Sequence, residues 1–358
     1  MTPNCKDLSF PSRIVVRGTN WVGDTILSLP AAKALRRIFS SSYMVFWVAS
    51  SLAPLVKATG IPDDVITFDV DSIGPLKRPF LMKGQLAAGG FNMAVLFQNA
   101  FESAFTAWLA GIPSRVGYPT DLRGPLLNVK VPLTGEIRNK HQVFYYLGIT
   151  DFLERRINGS ESSPRGLPDC SISLDDDTMV QAGHLLSATD MDLHRPFFCL
   201  CPGSVNSEAK RWPGDHFARL AELLVDREDA QVVFLGSPKE RGLVEEIISL
   251  MRTPTAVNLA GKADMVSSMA VMNRSKMVIS NDTGSAHLAV AAAAPVLTIF
   301  GPTSPGATAP FGPNAHIIQG KADCAPCRHF VCPKSGHRCM RSIEPEAVLR
   351  KIEEIAKR

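Results

Sequence analysis

At 358 residues the chain exceeds what one hydrophobic core usually fills, so two domains are expected. The composition, 45% hydrophobic and 20% charged, is that of an ordinary soluble protein. No apolar run reaches the length of a membrane span, since the best, LAVAAAAPVLTIF at 288–300, is short and broken by Pro295. The first residues, MTPNCKDLSFPSR, lack the apolar core of a signal peptide, and a cytoplasmic location is the expectation. The net charge of +4 hides an asymmetry: residues 1–150 carry 15 Lys and Arg against 9 Asp and Glu, the remainder 23 against 25. That excess points to an anionic partner on the N-terminal side, or to scatter without a dense patch.

In chain order, residues 13–17 read as a buried strand, followed by RGTNWVGDT at 17–25. Gly18, Gly23 and Thr25 match a phosphate-binding P-loop, but its lysine position holds Asp24, whose carboxylate would repel phosphate. A helix is expected from about Thr25 to Phe39, then a strand YMVFWVA at 43–49 and a helix ending near Gly60. MAVLFQN at 93–99 reads as another apolar strand, with a helical stretch to Ala110. Between about 150 and 195 the apolar runs stop, and RRINGSESSPRGLPDCS reads as connector. The rhythm resumes with strands at 196–204, 231–237, 276–282 and 295–302 and helices at 216–226 and 285–294. The fold class is therefore α/β, with two units built on parallel sheets. The expected boundaries are 1–165, a connector 166–195, a second domain 196–345, and a C-terminal helix 346–358 packing back on the first domain.

Open parallel sheets bind ligands beyond the carboxyl ends of their strands. Three groups of residues stand there in the second domain. Asp282, Thr283 and Gly284 end a strand, with His287 one turn into the next helix; the helix start suits an anion, although Asp282 or Thr283 as a simple cap would also account for the pattern. Ser204 opens a loop that leads to Lys210-Arg211-Trp212-Pro213, a second anion site or a solvated basic pair. Glu240 follows another strand, placed to accept from sugar hydroxyls or simply exposed.

Together TNWVGDTILSLPAAKALR, PGS…AKRWP, GSPKE and SNDTGSAHLAVAAAAPVLTIFGPTSP resemble the ADP-heptose:lipopolysaccharide heptosyltransferases, glycosyltransferase family 9, along the whole chain. TNWVGD, AKRWP and the C-terminal cysteine segment are most like heptosyltransferase II. The resemblance implies a GT-B fold, two Rossmann-like domains with parallel sheets facing a central cleft. It implies an inverting glycosyltransferase that moves L-glycero-D-manno-heptose from ADP-heptose to the inner-core heptose of lipopolysaccharide. The alternative is a type I- or III-like transferase with another core acceptor or nucleotide-sugar. The first domain would bind the lipid A–Kdo–heptose acceptor and the second the ADP-sugar donor. Peripheral contact with the cytoplasmic face of the inner membrane is expected, no nucleic acid, and no cofactor or metal beyond the donor substrate. The family's base falls on Asp24 and its donor-binding residues on Ser204, Lys210, Glu240, Asp282, Thr283, Gly284 and His287. A carboxylate, out of place in a P-loop, suits a base for an acceptor hydroxyl, though Asp24 could also serve as a helix cap.

Of eight cysteines, Cys5, Cys170, Cys199 and Cys201 are scattered and expected to be buried thiols. Cys324, Cys327, Cys332 and Cys339, with His329 and His337 between them, read as a zinc site, a disulfide-tied loop or reduced thiols, in a loop expected to be far from the chemistry.

Overall fold

The computed structural model describes residues 11–69, 74, 77–159, 166–205, 207–327, 329–334 and 336–357. Cys5 and part of the connector segment RRINGSESSPRGLPDCS lie outside them. The chain divides into two compact units, Met1–Cys170 and Ser171–Arg358.

The first unit holds six parallel strands, β1 Arg13–Arg17, β2 Tyr43–Ala49, β3 Asp64–Phe68, β4 Met93–Leu96, β5 Ser114–Gly117 and β6 Val129–Lys130, in the order β3-β2-β1-β4-β5-β6. Among the described residues the helices that join or cover them are α1 Val22–Leu27, α2 Leu29–Ile38, α3 Ala53–Ala58, α4 Arg78–Ala88, α5 Phe101–Leu109, α6 Gly135–Asn139 and α7 Gln142–Asn158. Ile14, Val15 and Val16 are buried on both faces of the central strand, as helices on both sides of a sheet require. The single helix expected from Thr25 to Phe39 is two, parted at Ser28. Pro30 explains the break, because it has no N–H to donate and its ring crowds the carbonyl one turn back.

The second unit repeats the plan with β7 Phe197–Cys201, β8 Gln231–Phe234, β9 Val257–Asn258, β10 Met277–Asn281, β11 Val296–Phe300 and β12 Ala315–Gln319, all parallel, in the order β12-β11-β10-β7-β8-β9. Its helices are α8 Asp176–Ser187, α9 Gly214–Glu228, α10 Arg241–Ser249, α11 Met265–Arg274, α12 Gly284–Ala291, α13 Pro305–Thr308, α14 Arg338–Arg341 and α15 Pro345–Ala356.

Two segments differ from their reading in the sequence. The stretch 166–195 contains α8, whose start is capped by Asp175 accepting from the Thr178 N–H at 2.8 Å, and which packs on α11. The C-terminal helix α15 packs on α9 in the second unit, where Val348, Leu349 and Ile352 share a core with Phe217, Leu220 and Leu224. In both cases the apolar face finds its partner within the second unit.

Each sheet reverses its winding once, between β1 and β4 in the first and between β7 and β10 in the second. At these points neighbouring loops leave in opposite directions, which opens a crevice beyond the strand ends. The candidate residues gather there.

Candidate active site

In the first unit the loop after β1 is shaped from below by an arginine. Arg17 donates through Nη1 to the Gly18 carbonyl at 2.6 Å and through Nη2 to Asn20 Oδ1 at 2.7 Å. Its guanidinium lies 4.9 Å from the Trp47 ring centre and 4.7 Å from that of Phe68. Burial pushes its pKa down to about 9, so it remains a cation at neutral pH. Gly18 is required by close approach: a Cβ there would stand 2.7 Å from Val48 Cγ1. The P-loop threonine is also spent locally, since Thr25 Oγ1 donates to the Trp21 carbonyl at 2.9 Å and pairs with Thr19 Oγ1 at 2.8 Å. This loop is an arginine-backed turn into α1 rather than a nest of N–H groups for phosphate.

Asp24 stands half-buried in the first turn of α1. The cap position is Trp21, so the reading of Asp24 as an N-cap does not hold. Tyr146, buried on α7, lies within electrostatic reach of the Asp24 carboxylate. Burial, and next the negative charge of Asp24, lift the Tyr146 pKa well above that of an ordinary phenol, so it stays a donor. Beside this point Gln98 and Asn99, after β4, are locked by Arg123, which donates to the Gln98 carbonyl and, at 2.9 Å, to Asn99 Oδ1.

In the second unit Lys210 and Asp282 meet across the reversal between β7 and β10. Lys210 Nζ lies 2.7 Å from Asp282 Oδ2 and 3.2 Å from its backbone carbonyl. The lysine side chain is 28% exposed and the aspartate 5%, so a partly exposed cation sits on a buried counter-ion. Thr303 donates to the same carboxylate oxygen at 2.7 Å. Thr283 is the N-cap of α12, and Gly284 and the buried His287 lie in that helix. Ser204 is buried and its carbonyl accepts from Arg211 Nη2 at 3.0 Å. The residue that sequence reasoning missed is Asn281. Fully buried, it donates through Nδ2 to the Pro202 carbonyl at 2.7 Å and accepts from the Trp212 N–H at 3.0 Å, tying the end of β10 to the Lys210 loop. Its signal in the sequence was only a polar residue ending an apolar strand.

Glu240 is not a free surface carboxylate. Its Oε2 accepts from the Ser237 N–H at 2.7 Å and from the Ser237 hydroxyl at 2.8 Å, a capping box. The same carboxylate lies over Gly203, where an added methyl group would overlap it. Ser204, Lys210, Asp282 and Thr283 thus belong to loops joined at one reversal, with Glu240 at its margin through Gly203.

The cysteine segment corrects an expectation. It does not lie apart from this site: the Phe330 carbonyl accepts from the Ala209 N–H at 3.0 Å and from Ser207 Oγ at 3.1 Å, and His337 Nε2 is 2.7 Å from the Ala209 carbonyl. These bonds clamp the residues just before Lys210. Cys170, Cys199 and Cys201 are buried thiols as expected, the first two pushed up to about 12 by burial.

The family model described as glycosyltransferase family 9 (heptosyltransferase) matches residues 81–337, and the chain belongs to that family. Lipopolysaccharide heptosyltransferase 2 of Escherichia coli is 26% identical, the match spanning 95% of this chain and 97% of that protein. The solved structure of E. coli ADP-heptose LPS heptosyltransferase II superposes with a TM-score of 0.79 at 25% identity, covering 96% of this chain and 98% of that one. A family 9 glycosyltransferase from Veillonella parvula shares the fold at a TM-score of 0.83 and 21% identity, over 98% and 99% of the two chains. The fold is GT-B and the protein is a glycosyltransferase.

The contact between Gly203 and Glu240 is testable without any substrate. Gly203→Ala should displace the carboxylate from Ser237 and cost roughly 1–2 kcal/mol in urea unfolding. The same alanine in a Glu240→Ala background should cost much less, because the group it collides with is gone. Equal costs in the two backgrounds would show that the carboxylate does not occupy that space.

Proposed function

For this member of glycosyltransferase family 9 we propose an inverting transfer of heptose from ADP-heptose to the inner-core heptose of lipopolysaccharide, with Asp24 as base and Lys210 as the diphosphate-binding cation. The observation that carries this reading is that each unit's reversal point presents one charged group beside a partner that suits its charge state. In the first it is the Asp24 carboxylate, near the buried phenol of Tyr146. In the second it is the Lys210 ammonium, held by Asp282. A displacement at an anomeric carbon needs one of each.

In this mechanism the acceptor hydroxyl oxygen bonds to the anomeric carbon as its proton passes to Asp24. The bond from that carbon to the β-phosphate oxygen breaks, and its electron pair leaves with ADP. The Asp24 carboxylate, with the protonated phenol of Tyr146 nearby, keeps acceptor capacity for the substrate proton. The charge growing on ADP is met by Lys210 and by the N–H groups at the start of α12, around Thr283 and Gly284. The diphosphate therefore requires no metal ion in this reading. Glu240 and His287 complete the donor site, the first from its position against Gly203 and the second from within α12. The first unit takes the lipid A–Kdo–heptose acceptor.

That acceptor is anchored in a membrane, and the first unit carries a surface suited to one. Phe80, Leu81, Phe101 and Trp108 are exposed on α4 and α5, with Phe105 stacked between Phe101 and Trp108 at ring-centre distances of 5.7 and 5.9 Å. Exposed Lys77 and Lys83 flank them. Aromatic rings beside lysines are the composition of a helix pair that rests on an anionic lipid surface.

Three outcomes are expected. Asp24→Asn should leave the melting temperature and ADP affinity near wild type while turnover falls by about two to four orders of magnitude, the usual worth of a general base; near-normal turnover would sink the proposed mechanism. Lys210→Ala should weaken ADP binding by roughly 1.5–3 kcal/mol in titration calorimetry. Because that change strands a buried Asp282, Lys210→Ala with Asp282→Asn should recover thermal stability without recovering affinity. Full-length protein should co-sediment with vesicles containing phosphatidylglycerol, and Phe80→Ser with Trp108→Ser should abolish this while leaving ADP affinity intact. Sedimentation unchanged by those substitutions would move the membrane contact elsewhere.

A further inference from the structure

The segment from Cys324 to Cys339 is the part of the second unit that the transfer mechanism leaves unexplained. Its cysteines follow the spacing C-x2-C-x4-C-x6-C. Between β12 and α14 its described residues form neither helix nor strand, and Phe330 and Val331 are 70% and 63% exposed. A stretch of this length that buries so little apolar surface has no core of its own to hold it in one shape.

All four thiols nevertheless converge. Cys324, Cys327, Cys332 and Cys339 line one pocket of about 750 Å³, and all four are free. Lys321, Lys334 and Arg338 line the same pocket and outnumber its one carboxylate, Asp323, which suits a site of net negative charge. His329 and His337 line it too; His337 is already committed to the Ala209 carbonyl, and the four sulfurs form a complete donor set of one kind. Among the described residues the thiols surround the pocket without meeting at ligand spacing, and the described part of the loop between β12 and α14 forms no helix or strand that fixes them apart.

We propose that Cys324, Cys327, Cys332 and Cys339 bind one soft divalent ion, zinc or ferrous iron, as a tetrathiolate, and that this ion fixes the loop which clamps residues 207–209 ahead of Lys210. Four thiols lose four protons to the solvent, and the four resulting thiolates coordinate the ion tetrahedrally, with no change of oxidation state. The site is structural, with no open position for a substrate. Its second consequence rests on the reading of Lys210 as the diphosphate cation: with the loop unclamped, the segment Ser207–Lys210 loses the bonds from Phe330 and His337 that position it.

The test begins with elemental analysis of the full chain purified under reducing conditions. About one zinc or iron ion per chain is expected, the element identifying which. Cys324→Ser and Cys339→Ser should lose most of it, while Cys170→Ser, outside the cluster, should keep it. Should the serine variants fail to fold, wild-type protein stripped with a chelator and titrated with cobalt(II) gives the same answer, through the thiolate charge-transfer and tetrahedral ligand-field bands of one bound ion. Stripped protein should also bind ADP several-fold more weakly and recover on adding metal. Metal-free protein that gives no cobalt spectrum, or peptide masses showing these cysteines joined as disulfides, would overturn the site. A bound ion whose removal leaves ADP affinity unchanged would overturn its positioning role alone, and loss of ADP binding in Lys210→Ala would still stand independently.

Discussion

The ion pair between Lys210 and Asp282 answers a problem that the sheet itself creates. Where a parallel sheet reverses its winding, the two central strands release their chains in opposite directions, and no connection bridges the gap. The polar ends of β7 and β10 must then be held by side chains. Asn281 ties backbone to backbone, and Lys210 with Asp282 ties charge to charge. The aspartate, 5% exposed, would be costly to bury alone, while the lysine keeps enough exposure to meet an incoming anion. An ammonium already fixed by a buried counter-ion needs little reorganisation when a diphosphate arrives, and such preorganisation is what makes a charge effective in a transition state.

The first unit solves the same problem with buried cations. Arg17 and Arg123 are spent on loop carbonyls and on Asn20 and Asn99, and Arg78 is paired with Glu102 at 3.1 Å beside Phe68. Burial lowers the pKa of Arg123 to about 10, still above neutrality. The basic excess of residues 1–150 is therefore partly internal. Arg17 and Arg123 hold strand-end loops in shape and Arg78 ties α4 to α5, so the count of charges overstates what the surface offers to an anionic partner. A net charge read from sequence counts structural and exposed cations alike, and only burial tells them apart.

How much was legible follows the strength of each local signal. The central strands announced themselves as unbroken apolar runs, and β2 occupies Tyr43–Ala49 as the sequence suggested. The edge strands β3, β6 and β9 are short or partly exposed, and their stabilisation comes from the neighbour they pair with, which no local pattern records. Helix α8 carried a readable start, with Asp175 as cap and Asp176 and Asp177 in the first turn, but it buries only Ala182 and Leu186, too thin a stripe to show periodicity. The strand-end positions of Asp24, Lys210 and Asp282 were legible because parallel sheets put function there. Asn281 and Tyr146 were not, since each acts on a partner distant in sequence: Pro202 and Trp212 for the first, Asp24 for the second.

Glu240 shows why a structural role does not argue against a functional one. Its bonds to Ser237 fix the start of the short turn before α10, and the absence of a side chain at Gly203 is what lets its carboxylate lie over the loop after β7. A residue with only a capping task would not need that glycine, because a cap is satisfied within its own turn. A residue with only a ligand to meet would not need the two bonds from Ser237. The combination fixes a negative group, at no conformational cost on binding, beside the loop that ends in Lys210. The same logic applies to Asp24 in the proposed mechanism: its place in the first turn of α1 is set by the local chain, while the acceptor it would serve lies beyond the strand ends.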